Sequence, residues 1–339
     1  MNRVSGHYLS CIIEACELLG FPKGNECQSF ALPQVNIEDP LQRFQDHYLL
    51  DLYKAASEHL SEPNIGLKVG SKFNISWLNE TGKLLPFCAT LGEVGFMLGR
   101  YHRLTQSFGT SEVMLNDLGA WLLWHPQYED SENYKHVIEA IFTGMIIATK
   151  WLLWNEHNPI KTVHFRHEAH GDVTAYEDIL GCPVLFNQDN DTIGFDSSYL
   201  NFPLATSNPE LKTEISRNLD RLLLRLEDES ALIAQVEASI REQLHEKTPL
   251  LAETVRHLRL SERKLRYQLK RRSTNFRQIV NRVRREICDA EMRKNTRISV
   301  IAQKLGYHDQ SAFNHAFHKW HGMSPRQYQA NHSAARGAK

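Results

Sequence analysis

At 339 residues, 42% hydrophobic and 23% charged, the chain is long enough for two ordinary domains, each with its own core. Its longest apolar stretch, Ile141 to Trp154, is interrupted by Lys150 and too short to cross a bilayer, which predicts a buried helix and no membrane span. The formal charge of -1 conceals two parts of opposite sign, because Glu246 to Lys339 holds 21 basic and 7 acidic residues whereas Met1 to His245 holds 18 and 33; this asymmetry predicts a nucleic-acid-binding module joined to a part that does not bind nucleic acid.

Glu14 breaks the only apolar stretch near the amino terminus and no small-residue cleavage site follows, so the chain is expected to remain in the cytoplasm. Cys11, Cys16, Cys27, Cys88, Cys182 and Cys288 are scattered without a pair at two-residue spacing, which predicts reduced thiols and no zinc ribbon. Glu38 to Leu60 reads as a helix with Leu41, Phe44, Tyr48, Leu52 and Ala55 on one side, and Leu91 to Leu104 and Tyr134 to Trp154 read likewise. Glu112 to Leu115 and Ala120 to Trp124, separated by NDLG, predict a hairpin; Lys161 to His167, residues 183 to 186 and residues 192 to 195 predict further strands. The acidic part is therefore expected to be an α+β domain over 1–208. Pro209 to Leu244 predicts one amphipathic helix whose Leu219, Leu222, Leu223 and Leu226 stripe is either a dimer seam or a core face, so 209–245 is read as a helical dimerisation or linker segment.

The basic part, 246–332, is helix after helix. Leu251, Val255 and Leu258 face inward on one helix; after a short turn, Ser261 is the expected N-cap of a second that buries Leu265 and Leu269. That is a helix-turn-helix pattern. A longer helix follows with Phe276, Ile279, Val283, Ile287 and Ala290 on one stripe and six basic side chains between Arg277 and Lys294 off it. The pattern then repeats: Ile301, Ala302 and Leu305 inward, Gly306 at the turn, Asp309 as N-cap, and a helix burying Phe313, Phe317 and Trp320. Ser324 and Pro325 open a last short helix, and 333–339 is expected to be a disordered tail.

Histidines recur in this last unit at His308, His315, His318 and His321. With the phenylalanines inward, Ser311, Asn314, His315 and His318 fall on the outward face. His315 and His318 could share a metal, but no cysteine or carboxylate close in sequence completes a site, so no metal is expected. A DNA-facing surface is the better reading, with His315 offered to a base edge and His318 to a phosphate.

Two helix-turn-helix units joined by a long helix and ending in GYHDQSAFNHAFHKWHGMSPRQY resemble the DNA-binding module of the AraC/XylS family of bacterial transcription regulators. GRYHRL, VHFRHE and ILGCPVLF in the acidic part resemble the effector domain of the subgroup that includes ornithine- and arginine-utilisation regulators. The resemblance implies an α+β amino-terminal effector and dimerisation domain followed by an all-α carboxy-terminal domain with two helix-turn-helix units. It implies that Arg263, Arg266 and Tyr267, at i, i+3 and i+4, reach bases from the first recognition helix, with Ser311 and His315 in the second. Lys264, Lys270, Asn314, His318 and Lys319 are then phosphate contacts that position the protein. Three departures stand out: Arg259 occupies a turn position where the family commonly has glycine, His318 one where it commonly has a basic residue, and His315 one where it commonly has arginine, whose bidentate pairing with guanine a neutral imidazole cannot reproduce.

The implied partners are double-stranded promoter DNA, a small-molecule effector, RNA polymerase and a second copy of the chain; no cofactor is implied. An enzyme fused to such a module would need a zinc-held cysteine cluster, a Ser/His/Asp order, a Gly-rich phosphate loop or HExxH, and none is present. The remaining rival keeps DNA binding but makes the acidic domain a platform for a protein partner.

Overall fold

The computed structural model describes residues 2–23, 35–36, 39–116, 119–154, 158–170, 172–244, 248–271, 274–294, 296–307 and 309–329, without the side chains of 116, 229–230, 271 and 293. Cys27, His308, residues 245–247 and the expected tail at 333–339 lie outside the described residues. Contacts divide the chain into two compact units, Met1–Leu226 and Glu227–Lys339.

The first unit begins with β1 (Arg3–Ser5) and α1 (Gly6–Leu18), whose first turn is capped by the Ser5 hydroxyl accepting from the Tyr8 amide. β2 (Arg43–Gln45) pairs antiparallel with β1, and α2 (His47–Leu60), α3 (Ile65–Gly70), α4 (Glu80–Leu84) and α5 (Leu91–Tyr101) follow. The single helix expected from Glu38 therefore starts only at His47. Leu41 and Phe44 match a helical spacing for unrelated reasons, since Leu41 packs with Leu222 and Leu226 whereas Phe44 lies in a strand against Tyr48.

The expected hairpin is present and longer than its apolar segments, as β3 (Gly109–Asn116) and β4 (Gly119–Pro126). After α6 (Lys135–Leu152) come β5 (Ile160–His164), α7 (Val173–Leu180), β6 (Val184–Leu185) and β7 (Thr192–Phe195). The sheet order is β3-β4-β7-β5-β6, antiparallel except for the β5 and β6 pair. Trp121 of β4 lies opposite Gly194, where an added Cβ would come within 2.8 Å of the indole, so only glycine admits the ring there. The main core gathers α1, α2, α3 and α6 around Leu9, Ile12, Leu52, Ile65 and Phe142. Within it Glu139, fully buried, accepts from the Tyr176 hydroxyl at 2.6 Å and lies 3.1 Å from His136 Nδ1, which meets the requirement that a buried carboxylate be hydrogen-bonded.

α8 (Pro209–Leu244) is helical over the whole expected span, but its two halves belong to different cores. Leu219 is buried with Leu84 and Tyr101, and Leu222 and Leu226 with Leu41. Leu219, Leu222 and Leu226 of the stripe are thus core residues of the first unit. From Ile233 onward the helix is part of the second unit, where Ile233, Val236, Ile240 and Leu244 pack with Val255, Leu265 and Ile279. The division between the two units falls inside 209–245, between Leu226 and Glu227, because each half of α8 carries its own buried stripe.

The second unit continues with α9 (Leu251–His257), α10 (Glu262–Arg271), α11 (Phe276–Arg293), α12 (Ile298–Lys304) and α13 (Gln310–His321), and residues 325–329 are again helical. α11 serves two cores: Ile279, Val280 and Val283 enter the first, Cys288 and Met292 the second with Ile301, Phe313 and Phe317, and Ile287 touches both. Among the described residues no helix is long and apolar enough to cross a membrane, and no group of three or more His, Cys, Asp or Glu is arranged to hold a metal.

Candidate nucleic-acid interface

The two helix-turn-helix units are built on one backbone design. In the first, the Arg259 amide donates to the Arg256 carbonyl at 3.2 Å and the Leu260 amide to the Val255 carbonyl at 2.9 Å. In the second, the Gly306 amide donates to Gln303 at 2.9 Å and the Tyr307 amide to Ala302 at 3.1 Å. Both are Schellman closures, which require a left-handed residue immediately after the helix. Gly306 adopts it at φ +67° without penalty, whereas Arg259 adopts it at φ +53° with a Cβ in the way. Arg259 thus keeps the same turn and bears the strain.

The helix that follows each turn starts at a side-chain cap. Ser261 Oγ accepts from the Lys264 amide at 3.2 Å, and Asp309 Oδ1 from the Ala312 amide at 2.7 Å. Each helix is anchored by two buried residues four apart, Leu265 and Leu269 on α10 and Phe313 and Phe317 on α13. Aligning those anchors brings Arg263 into register with Ser311, Arg266 with Asn314, Tyr267 with His315 and Lys270 with His318. These four positions on each helix form one outward face, opposite the anchors. All ten residues expected to contact DNA are exposed: Arg263, Lys264, Arg266, Tyr267 and Lys270 on α10, and Ser311, Asn314, His315, His318 and Lys319 on α13. Lys264 and Lys319 lie about a quarter turn to one side of their faces, at roughly 100° per residue.

The two faces differ in chemistry. α10 offers permanent cations, one of which, Arg266, is held 3.3 Å from Glu262 in an exposed i, i+4 pair that is cheap to exchange for another anion. α13 offers hydroxyl, amide and imidazole groups. His321 is turned away from this face, with its ring 4.4 Å from Phe317 and 4.9 Å from Tyr328 and its Nε2 3.0 Å from Asp289.

Three of the basic residues expected off the buried stripe of α11 are engaged within the unit. Arg282 is paired with Glu237 and Arg285 is 3.9 Å from Asp289. Arg284 lies 4.5 Å from the centre of the Tyr307 ring, and its burial there lowers its pKa. The partners of Arg282 and Arg284 are far along the chain and leave no local signal, whereas Arg285 and Asp289 are an i, i+4 pair on one helix. The sequence reading also missed the carboxy-terminal half of α8 as part of this module. Ser239 and Gln243 were the available signal: they are polar positions on an apolar stripe, and both reach Thr254, Gln243 Nε2 at 2.8 Å. Gln243 Oε1 in turn accepts from the Leu250 amide at 2.7 Å, closing the start of α9.

Residues 20–204 match the family model described as the arabinose-binding domain of AraC transcription regulator, amino-terminal, and residues 254–331 match one described as a helix-turn-helix domain. The chain is 24% identical over 269 residues to the ornithine utilization regulator of Pseudomonas aeruginosa, covering 79% of this chain and 78% of that one. It is 27% identical over 274 residues to the HTH-type transcriptional regulator VqsM of the same organism, covering 78% and 82%. The HTH-type transcriptional regulator VirS of Mycobacterium tuberculosis is 28% identical over 288 residues, covering 82% of each. Among solved structures, the transcriptional regulator CdpR from Pseudomonas aeruginosa is 23% identical with a TM-score of 0.42, covering 85% of this chain and 98% of that one.

Proposed function

Because the chain belongs to the AraC family of transcription regulators, with an arabinose-binding-type amino-terminal domain, we propose that it binds promoter DNA sequence-specifically under the control of a small-molecule effector. Its relatives are named as transcription regulators, and the chain is not an enzyme. In this reading the first unit holds the effector and dimerises in the cytoplasm, and the second enters successive major grooves with α10 and α13. Effector binding shifts the population toward an arrangement that engages promoter and RNA polymerase, with activation as the principal outcome.

The observation that carries the reading is the pair of outward faces, each opposite two buried anchors and each following the same closure. Arg263, Arg266, Tyr267, Ser311 and His315 are assigned to bases. Lys264, Lys270, Asn314, His318 and Lys319 are assigned to phosphates, although the register with Arg266 gives Asn314 access to a base edge as well.

Titration of the full chain against duplex DNA between 50 and 200 mM salt tests it. Affinity is expected to fall by roughly 10³ or more if about six phosphates are engaged. Arg266→Ala is expected to cost about 1–3 kcal/mol on the operator and relax one base preference, while Lys270→Ala weakens all sequences alike. Equal losses for both variants on operator and random DNA would overturn the base assignment.

A further inference from the structure

The first unit holds two cavities in series along one face of the β3 and β4 hairpin. Ser111 and its cross-strand partner Trp124 line the first, and Val113 and its partner Leu122 line the second. Residues two apart on a strand share a face, so the same surface floors both. α5 and α6 roof them, and Leu98, Met145 and Ala148 line both cavities at once, so the two adjoin through three apolar side chains. Each encloses about 70 Å³.

No Asp, Glu, Lys or Arg lines either cavity among the described residues. A charged ligand would therefore lose its hydration against apolar walls with no counter-ion, a cost of several kcal/mol per ion. The one polar side chain that lines the second cavity among the described residues, Thr149, donates its hydroxyl to the Met145 carbonyl at 2.9 Å, and the other polar side chains line the first. Thr81 is 2% exposed, and its hydroxyl has no hydrogen-bond partner among the described residues. His102 Nδ1 is 2.8 Å from the Gly99 carbonyl, which can only accept, so the proton sits on Nδ1. Burial lowers the pKa of His102, and in the neutral ring Nε2 is an acceptor. The first cavity is thus lined by the His102 acceptor, the Thr81 hydroxyl and the polar side chains of Tyr8, Thr105, Gln106 and Ser111, and the second presents a predominantly apolar wall.

The geometry points to a single two-chambered ligand pocket for a small, uncharged, mainly apolar molecule that carries one hydroxyl or N–H at one end. Its polar end meets His102 Nε2 and Thr81, and its apolar body passes Leu98, Met145 and Ala148 into the second chamber. Free amino acids, which are zwitterions, and diamines, which are dications, are excluded. This rests on effector control for its regulatory meaning and goes beyond it in naming the ligand class. A different place on the same unit, an open cleft lined by Asp51, Lys54, Glu58, Glu132 and Lys135, has the charges such amino acids would need and is the site against which the pocket is tested.

Calorimetry of the full chain with benzyl alcohol, toluene, benzoate, benzylamine and ornithine tests the assignment. Benzyl alcohol is expected to bind about fivefold tighter than toluene, the equivalent of one net hydrogen bond of roughly 1 kcal/mol. The three charged probes are expected not to bind. Ala148→Trp, which fills the space between the chambers, is expected to abolish binding of both neutral probes. Thr81→Val with His102→Phe is expected to erase the preference for the alcohol while toluene still binds. The wild-type ratio needs no variant to fold. Failure of both neutral probes to bind, or no preference for the alcohol, overturns the pocket. If ornithine alone binds and changes operator affinity, effector control stands and the pocket falls. If benzyl alcohol binds with the expected profile and operator affinity does not respond, the pocket stands and effector control through it falls.

Discussion

A fragment cut at Glu246, where the basic part of the chain begins, should not fold stably, whereas one cut at Glu227 should. Deleting residues 227–245 removes Ile233, Val236, Ile240 and Leu244, which are 6%, 0%, 0% and 5% exposed in the core of the first helix-turn-helix unit. At about 1.5–3 kcal/mol for each buried aliphatic side chain, the loss is roughly 6–12 kcal/mol as an upper bound. Whole domains are stable by only about 5–15 kcal/mol. The cut also leaves Thr254 and the start of α9 without Gln243, and Arg282 and Glu286 without Glu237 and Arg241. Thermal melts followed by circular dichroism, together with DNA titration, would compare the two fragments. A cooperative melt of 246–339 within a few degrees of that of 227–339 would refute the assignment of the second half of α8 to this core.

Three further outcomes follow from the second unit. Arg259→Gly should stabilise it, because relief of about 1–2 kcal/mol of left-handed strain outweighs about 0.4–1 kcal/mol of added unfolded-state entropy; Gly306→Ala should destabilise it, and thermal melts in which the two effects share a sign would contradict the matched closures. His315→Arg should tighten operator binding by about 1–2 kcal/mol if a guanine or phosphate is in reach, since it adds a bidentate fork at the position matching Tyr267; unchanged affinity in a gel-shift titration would move residue 315 off the DNA. Glu291, whose pKa hydrogen bonds from Lys304 and Thr296 hold below its ordinary 4.5, stabilises the fold above that value, and the contribution is lost as pH falls through the lowered one. Glu291→Gln should therefore melt lower than the parent at pH 7, with the gap closing in acid; a constant gap between pH 7 and 3 would rule this out.

The second unit was legible in the sequence because its order is local. Ser261 and Asp309 sit where caps belong, and the spacing of Leu265 and Leu269 or Phe313 and Phe317 marks the buried side of each recognition helix. The exposed faces followed at once, since they are the complement of those anchors. What stayed hidden depends on residues far apart. Periodicity registered the Leu219 to Leu226 stripe but not its partner, and Leu41 and Leu84 supply it from early in the chain. β1 and β2 are each three residues long and pair across some forty residues, too short for any alternation to register. The paired cavities were also illegible, because they are what remains between a hairpin and two helices after packing, and no single segment encodes them.

The Gly306 carbonyl has a consequence for the architecture of a promoter. It accepts from Thr248 Oγ1, ahead of the first helix-turn-helix unit, at 3.1 Å, and from Arg284 Nη2 on α11 at 3.5 Å, while Arg284 also stacks on Tyr307. With Ile287 shared between the two cores, both units are pinned to one point on the connecting helix. A reader pinned in this way cannot stretch. Inserting one base pair between its two half-sites would turn the second by about 34°, given about 10.5 base pairs per turn of duplex. Sites for this regulator should therefore share one invariant internal spacing, and a genome scan that allowed the gap to vary would recruit mostly false positives.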